Sequence, residues 1–332
     1  MALHAVDDLS DAYRATRSFL LPVEWGRWLR LALLSLFVAG SSGGGAPTSG
    51  FQGPLSSSPE PTPGDGTELG PALDHLTATL SDNLVFILGI ITIGFLVVLA
   101  LQWLAATFEF TFLESLRTDA VHVRDYTSAN TGPGTRLFAF RVLFGLATLL
   151  VFGGLLLLVL GPILTGVSPA GPLLLLVFLI PVFIVLGIVA SIVYVLTTAF
   201  VAPIMLLEDR GLLSAWKRFW GVFKSAWTDF LVYLLVGLFL MIAIGIIVGI
   251  VMAVIGVAIA LPVIVVLLAL GPLWAAVVAI PAALLAIVAW ALVQVPVQTY
   301  LRHWSLLVLG DVEPELDLIP DRRAEIRGET TS

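Results

Sequence analysis

The chain has 332 residues, of which 59% are hydrophobic and only 12% charged, with a mean hydropathy of +1.05 and a net charge of −7. Soluble domains carry about 25% charged residues, so no soluble core of this size hides so much apolar surface. An outer-membrane barrel needs alternating ~10-residue segments, and the apolar runs here are unbroken. The acidic balance argues against nucleic acid as a partner. The absence of cysteine removes disulfides, thiolate metal ligands and cysteine nucleophiles.

What remains is an all-α, polytopic membrane protein whose first partner is the lipid bilayer. Among 16 cations, lysine occurs only at Lys217 and Lys224. Together with the acidic balance this points to a salt-adapted source, such as a halophilic archaeon. In molar salt the Debye length falls to about 3 Å, which leaves membrane anchoring mainly to aromatic side chains.

In chain order, Val6, Leu9, Tyr13, Thr16 and Leu20 recur at helical spacing opposite Asp11, Arg14 and Ser18. The spacing predicts a short amphipathic helix with Asp7 or Asp8 as N-cap. Leu29–Gly40 is the first apolar run, about 18 Å long as a helix and short of a ~30 Å hydrocarbon core. Starting at Trp25 extends it to a span over 25–40. A cleaved signal peptide competes, given Arg27, Arg30 and the small residues Ala39-Gly40-Ser41. The acidic, patterned stretch ahead of it favours an uncleaved span.

Residues 41–82 are rich in Gly, Ser, Pro and Thr and predict a flexible external loop. Further spans are predicted over 84–107, 137–160, 173–201, 230–256 and 274–300, giving six. The fourth is long enough to tilt or to bend at Pro181. An apolar connector over Leu261–Pro272 separates the last two. Residues 1–304 form one membrane domain, and 305–332 a polar cytoplasmic tail that frays.

Between the fourth and fifth spans lies an amphipathic helix over 209–228. Leu212, Leu213, Trp216, Phe219, Trp220, Phe223 and Trp227 share one third of its circumference, with Ser214, Lys217, Arg218, Gly221 and Lys224 opposite. It reads as a helix lying in the headgroup plane, with Trp216, Trp220, Phe223, Trp227, Lys217, Arg218 and Lys224 at the membrane interface. Fainter copies at Leu9–Arg14 and Leu113–Arg117 suggest three repeats of amphipathic helix plus helix hairpin.

All 16 cations fall before or at the start of span one, between two and three or just inside three, between four and five, or after six. Cytoplasmic segments carry the excess of Lys and Arg. The expectation is therefore a plasma-membrane protein with both termini in the cytoplasm.

Chemistry-bearing residues are scarce. Residues 84–107, 142–160, 173–207 and 230–301 contain no ionisable group. Gln294 and Gln298, four apart, either hydrogen-bond between helices or line a polar crevice. Glu109, Glu114 and His122 lack metal-ligand spacing and read as solvated charges, so neither metal nor cofactor is expected. Gly245 and Gly249 form a GxxxG, and Ala275 and Ala279 repeat at the same interval. Such small residues pack helices closely, within the chain or between copies of a homo-oligomer.

The run Leu206-Leu207-Glu208-Asp209-Arg210-Gly211-Leu212-Leu213-Ser214-Ala215-Trp216-Lys217-Arg218, followed by Trp220 and the span at Phe230, resembles the six-helix membrane domain beside some glycerophosphodiester phosphodiesterases. It also looks like uncharacterised multi-pass proteins of halophilic archaea. The phosphodiesterase barrel is absent, so the resemblance implies no catalytic residues. The sequence therefore reads as a non-enzymatic membrane protein with an organising or accessory role, acting with another membrane protein or a second copy. A permease for an apolar or zwitterionic solute is the alternative, and an intramembrane enzyme acting on lipid a weaker one.

Overall fold

A computed structural model describes residues 4–41, 84–165 and 170–328, and every regular element among them is helical. The predicted external loop over 41–82 lies almost wholly outside the described residues. The elements are α1 (His4–Leu20), α2 (Trp25–Ser41), α3 (Leu84–Thr118), α4 (Val123–Ala129), α5 (Thr131–Leu164) and α6 (Ala170–Leu196). A π-helical turn (Thr197–Val201) joins α6 to α7 (Ala202–Glu208). Then come α8 (Leu212–Ser225), α9 (Trp227–Leu270), α10 (Pro272–Val312), a 3₁₀ turn (Pro314–Leu316) and α11 (Pro320–Arg327).

Among the described residues, five helical stretches are long and apolar enough to cross a membrane: 84–118, 131–163, 174–208, 227–270 and 272–312. Each has the same two-part character. One part is a shaft whose large apolar side chains are mostly exposed, such as Val85, Leu150, Phe178, Ile247 and Leu284. The other is an end packed into a common base. Ala105–Leu113 of α3, Thr197–Met205 around the π turn, and Arg302–Gly310 of α10 are buried without a break. The packed core is thus at one end of the molecule, and the charged residues are gathered there.

The base is closed by elements that do not form shafts. α1 buries Ala5, Ala12, Ala15 and Phe19, and Trp304 Nε1 donates to the Ala5 carbonyl at 2.8 Å. An aromatic cluster fills the middle. Phe200 stacks on Phe219 at 5.5 Å and meets Phe230 and Tyr233 edge-on, while Tyr233 stacks on Trp304 at 4.3 Å. Each such pair is worth about 0.5–1.5 kcal/mol beyond area burial. α3 and α5 approach so closely that a Cβ on Gly134 would sit 2.8 Å from the Thr107 Cα.

Several sequence expectations change here. The connector over 261–272 is not a loop. α9 runs on through Pro262 to Leu270, and Gly271 alone makes the hairpin with φ 85°, a conformation that only glycine adopts freely. Leu113–Arg117 is the last part of α3, not a separate amphipathic helix. Asp7 lies inside the first turn of α1 rather than capping it.

The tail is not a fraying one as far as it is described. α10 continues to Val312 with Ser305–Gly310 buried, and α11 folds back against α1. Gly310 leaves the room that the Arg323 guanidinium occupies. The tail's three cations are all paired: Arg327 with Asp8, Asp11 and Asp311, Arg323 with Asp311 and Asp317, and Arg322 with Asp119 and Glu325. Glu313 and Glu315 pair with Arg218 of α8.

Candidate functional site

The base is organised by a carboxylate that no water reaches. Glu109 of α3 is 0% exposed and stands between Arg302 of α10 and Arg141 of α5, whose side chains are each 6% exposed. Arg302 pairs with Glu109 Oε1, and Arg141 Nη2 donates to Oε2 at 3.3 Å. Arg141 also lies over the Tyr194 ring of α6, 5.5 Å from its centroid. Four helices that form shafts are therefore tied together at one level.

Local sequence explains the fourth tie. The N–H of Ala202 bonds the Thr197 carbonyl, five residues back, as a π turn requires. The next bond of that kind would run from residue 203 to Thr198, but residue 203 is proline and has no N–H. The Thr198 carbonyl is left free in a buried place. Arg302 Nη1 donates to it at 2.7 Å. π turns of this sort are often found at functional positions, and here the extra residue presents an acceptor to a buried cation.

The cluster carries two guanidinium groups against one carboxylate. Arginine stays charged in any protein environment, so a positive charge is retained under the shafts. Coulomb attraction is strong in such a place, but its desolvation cost is similar in size. The arrangement is suited to fixing which helices meet, and at what level.

A second polar cluster joins the chain ends. Arg327 of α11 pairs with Asp8 at 2.8 Å, Asp11 at 2.9 Å and Asp311 at 2.7 Å. Arg323 pairs with Asp311 and Asp317. Burial and the neighbouring Asp311 push the Asp8 carboxyl up to about 7. A shallow cavity of about 490 Å³ opens beside these groups. Among the described residues no group of carboxylates and histidines is placed to hold a metal ion.

The predicted site residues are distributed as follows. α8 does form, but the face it buries is Leu212, Ala215, Phe219 and Val222, packed on the aromatic core of the protein. Trp216 and Phe223 are half-buried, and Trp220 and Trp227 are exposed. Lys217 and Lys224 are exposed, the latter 5.7 Å from the Trp220 ring. Arg218 instead pairs within the chain, with Glu315 at 2.9 Å and with Glu313 and Glu208.

Ala275 is buried and Ala279 half-buried, whereas Gly245 and Gly249 face open space. The glycine pair therefore does not pack α9 within the chain. Gln298 is buried and Gln294 half-buried, and neither lines the cavity beside Asp8 and Arg327 or the one beside Arg27 and Arg30.

Sequence reasoning passed over the central cluster. Glu109 read as a solvated charge, and it is fully buried. A signal was present. Glu109, Arg141 and Arg302 each lie at the end of a charge-free run, within two residues of it, and so at a common depth when the runs are laid side by side.

The fold and its base define the class: an all-α, polytopic chain with several helices able to cross a membrane. A family model matches residues 3–319, and the chain belongs to that family, described as a family of unknown function, DUF7544. No curated protein and no solved structure matches the chain. These comparisons do not link it to the phosphodiesterase-associated domains.

Proposed function

We propose that the protein is a non-enzymatic membrane scaffold of the plasma membrane, with its packed base in the cytoplasm and its shafts in the bilayer. One observation carries the reading. Buried polar and charged groups are concentrated in the base, while the shafts carry no Asp, Glu, Lys, Arg or His and present apolar side chains outward. A base of fixed shape with lipid-facing shafts is suited to holding other membrane components in place. The exposed Gly245 and Gly249 give one shaft a face that a second membrane helix can approach closely.

The orientation rests on the gathering of cations at the base, by the excess of Lys and Arg in cytoplasmic segments. Six crossings, with α2 as the first, fit this reading by parity. α1 is joined to α11 in the base, and α3 descends into the base from its far end, about 37 Å above Glu109 at Leu84. The ends of the intervening chain, Leu20 and Leu84, thus lie at different levels, Leu20 in the base and Leu84 at the far end of its shaft. α2 covers most of that difference. Ser35 Oγ donates to the Ala291 carbonyl, about 16 Å above Arg302, and Ser41 lies about 9 Å further on.

Single cysteines introduced into the cysteine-free chain test the orientation. Thr165→Cys at the far end should react with an impermeant reagent in intact cells, and Ser225→Cys at the base should not. The reverse pattern would overturn it. Proteoliposomes test the scaffold reading against the permease. Uptake of zwitterionic solutes should equal that of empty vesicles, and saturable uptake abolished by Gln298→Leu would instead establish a permease.

A further inference from the structure

The turn between α1 and α2 and the end of α3 enclose an open cavity of about 350 Å³. Its walls include Arg27 and Arg30 of α2, Glu24 before it, and Asp119 and His122 after α3. Asp119 is already engaged: Arg27 Nη2 donates to it at 2.8 Å, and Arg322 reaches it at 2.7 Å. Arg30 donates one N–H to the Val121 carbonyl at 3.1 Å and is otherwise turned to the open side. Arg27 and Arg30 thus face Glu24 and Asp119 in the lining. Arg27 and Arg322 share Asp119, and Arg322 also pairs with Glu325. Arg30 is the lining cation whose only bond among the described residues is to a neutral carbonyl.

The same helix carries an apolar stripe beginning at the cavity. Trp25, Leu29 and Leu33 follow one another four residues apart, one step around α2 from Gly26 and Arg30, and all three are exposed, Trp25 by 69%. Leu21 and Val23 of the preceding turn are exposed beside them. An exposed apolar stripe with the exposed Arg30 guanidinium at its foot matches a molecule that is itself anionic at one end and apolar along its length.

We propose that this cavity binds the phosphate of an anionic phospholipid headgroup between Arg27 and Arg30, with its acyl chains along Trp25, Leu29 and Leu33. Arginine offers several N–H donors in a planar fork and suits phosphate oxygens for that reason. Glu24 at the rim disfavours a second anionic group, so a headgroup with a single negative charge fits best. The proposal rests on the base lying at a membrane surface, but not on which surface. The cysteine-labelling result therefore leaves it standing either way.

The full-length protein in mild detergent, analysed by native mass spectrometry with added phosphatidylglycerol or phosphatidylcholine, provides the test. Wild type should retain phosphatidylglycerol preferentially. Arg27→Gln with Arg30→Gln should weaken that retention about tenfold, the effect of losing one charge-assisted hydrogen bond. Lys217→Gln with Lys224→Gln should leave it unchanged.

Arg27 also holds Asp119, so Arg30→Gln alone decides the matter if the double variant misfolds, and it should weaken retention in the same direction. Equal retention by these variants and wild type would overturn the proposal. So would an equal loss in the lysine pair, which would indicate general attraction to basic surface. If millimolar inorganic phosphate displaces the lipid and is itself retained, the site is one for free phosphate and the lipid assignment fails.

Discussion

Replacing Glu109 with glutamine removes the carboxylate that Arg141 and Arg302 share and leaves two guanidinium ions buried without a counter-charge. Arginine does not escape by releasing a proton. Removing one partner of a buried ion pair costs about 3–5 kcal/mol. For a chain of this size that corresponds to a fall in Tm of roughly 4–7 °C. Replacing all three residues together (Glu109→Leu, Arg141→Met, Arg302→Met) removes the charges along with their desolvation cost. What remains is the Thr198 carbonyl, which loses its donor at a cost of about 1–3 kcal/mol. The triple variant should therefore be more stable than Glu109→Gln alone. Thermal unfolding in detergent, followed by tryptophan fluorescence, measures both. A Glu109→Gln Tm within scatter of wild type, or a triple variant less stable than the single one, would refute the view that the cluster is a mutually compensated charge group.

The contribution of Asp8 to stability should fall as pH rises from about 4 to about 7, while its neighbour Asp311, held low against burial by Arg327 and Arg323, contributes in the opposite sense. Asp8 holds its proton more tightly in the folded chain than in the unfolded one, so folding is favoured while Asp8 is protonated and that gain is lost through its raised pKa. Asp317, also raised by burial, acts in the same sense. Asp8→Asn should remove that falling component from the slope of Tm against pH, and an unchanged slope would assign it to other groups. Gly134→Ala forces α3 and α5 apart at Thr107 and should cost about 1–3 kcal/mol, read as a lowered Tm and yield. On α8, Phe219→Ala should cost about 3–5 kcal/mol, while Trp220→Ala, at an exposed position stacked only on Phe223, should cost no more than about 1.5 kcal/mol. Equal effects of the two would place the aromatic face in the membrane rather than in the protein. Arg327→Gln unties α11 from α1 and should expose the segment after Val312 to limited proteolysis before the rest of the chain is cut.

Helical class, the existence of the long apolar helices and the amphipathic nature of α1 and α8 were legible in the sequence, because each depends on composition or on a 3.6-residue period. That period says that α8 has an apolar face, but not whether lipid or protein covers it. The neighbouring Phe200 and Phe230 decide that, and they approach Phe219 only in the folded chain. Helix ends were less legible. A helix stops where its backbone loses partners, and α9 keeps them through Pro262 because a proline removes one bond while its neighbours hold the turn.

The central cluster illustrates the same division. The sequence by itself put Glu109, Arg141 and Arg302 at the ends of charge-free runs, and that alone set their common depth. Whether such charges face water or one another depends on which helices pack together. Glu109 and Arg302 are far apart in the chain, and no local pattern records their meeting. Tertiary packing brings them together beside a carbonyl freed by Pro203, and so turns three apparently solvated charges into the junction of the base.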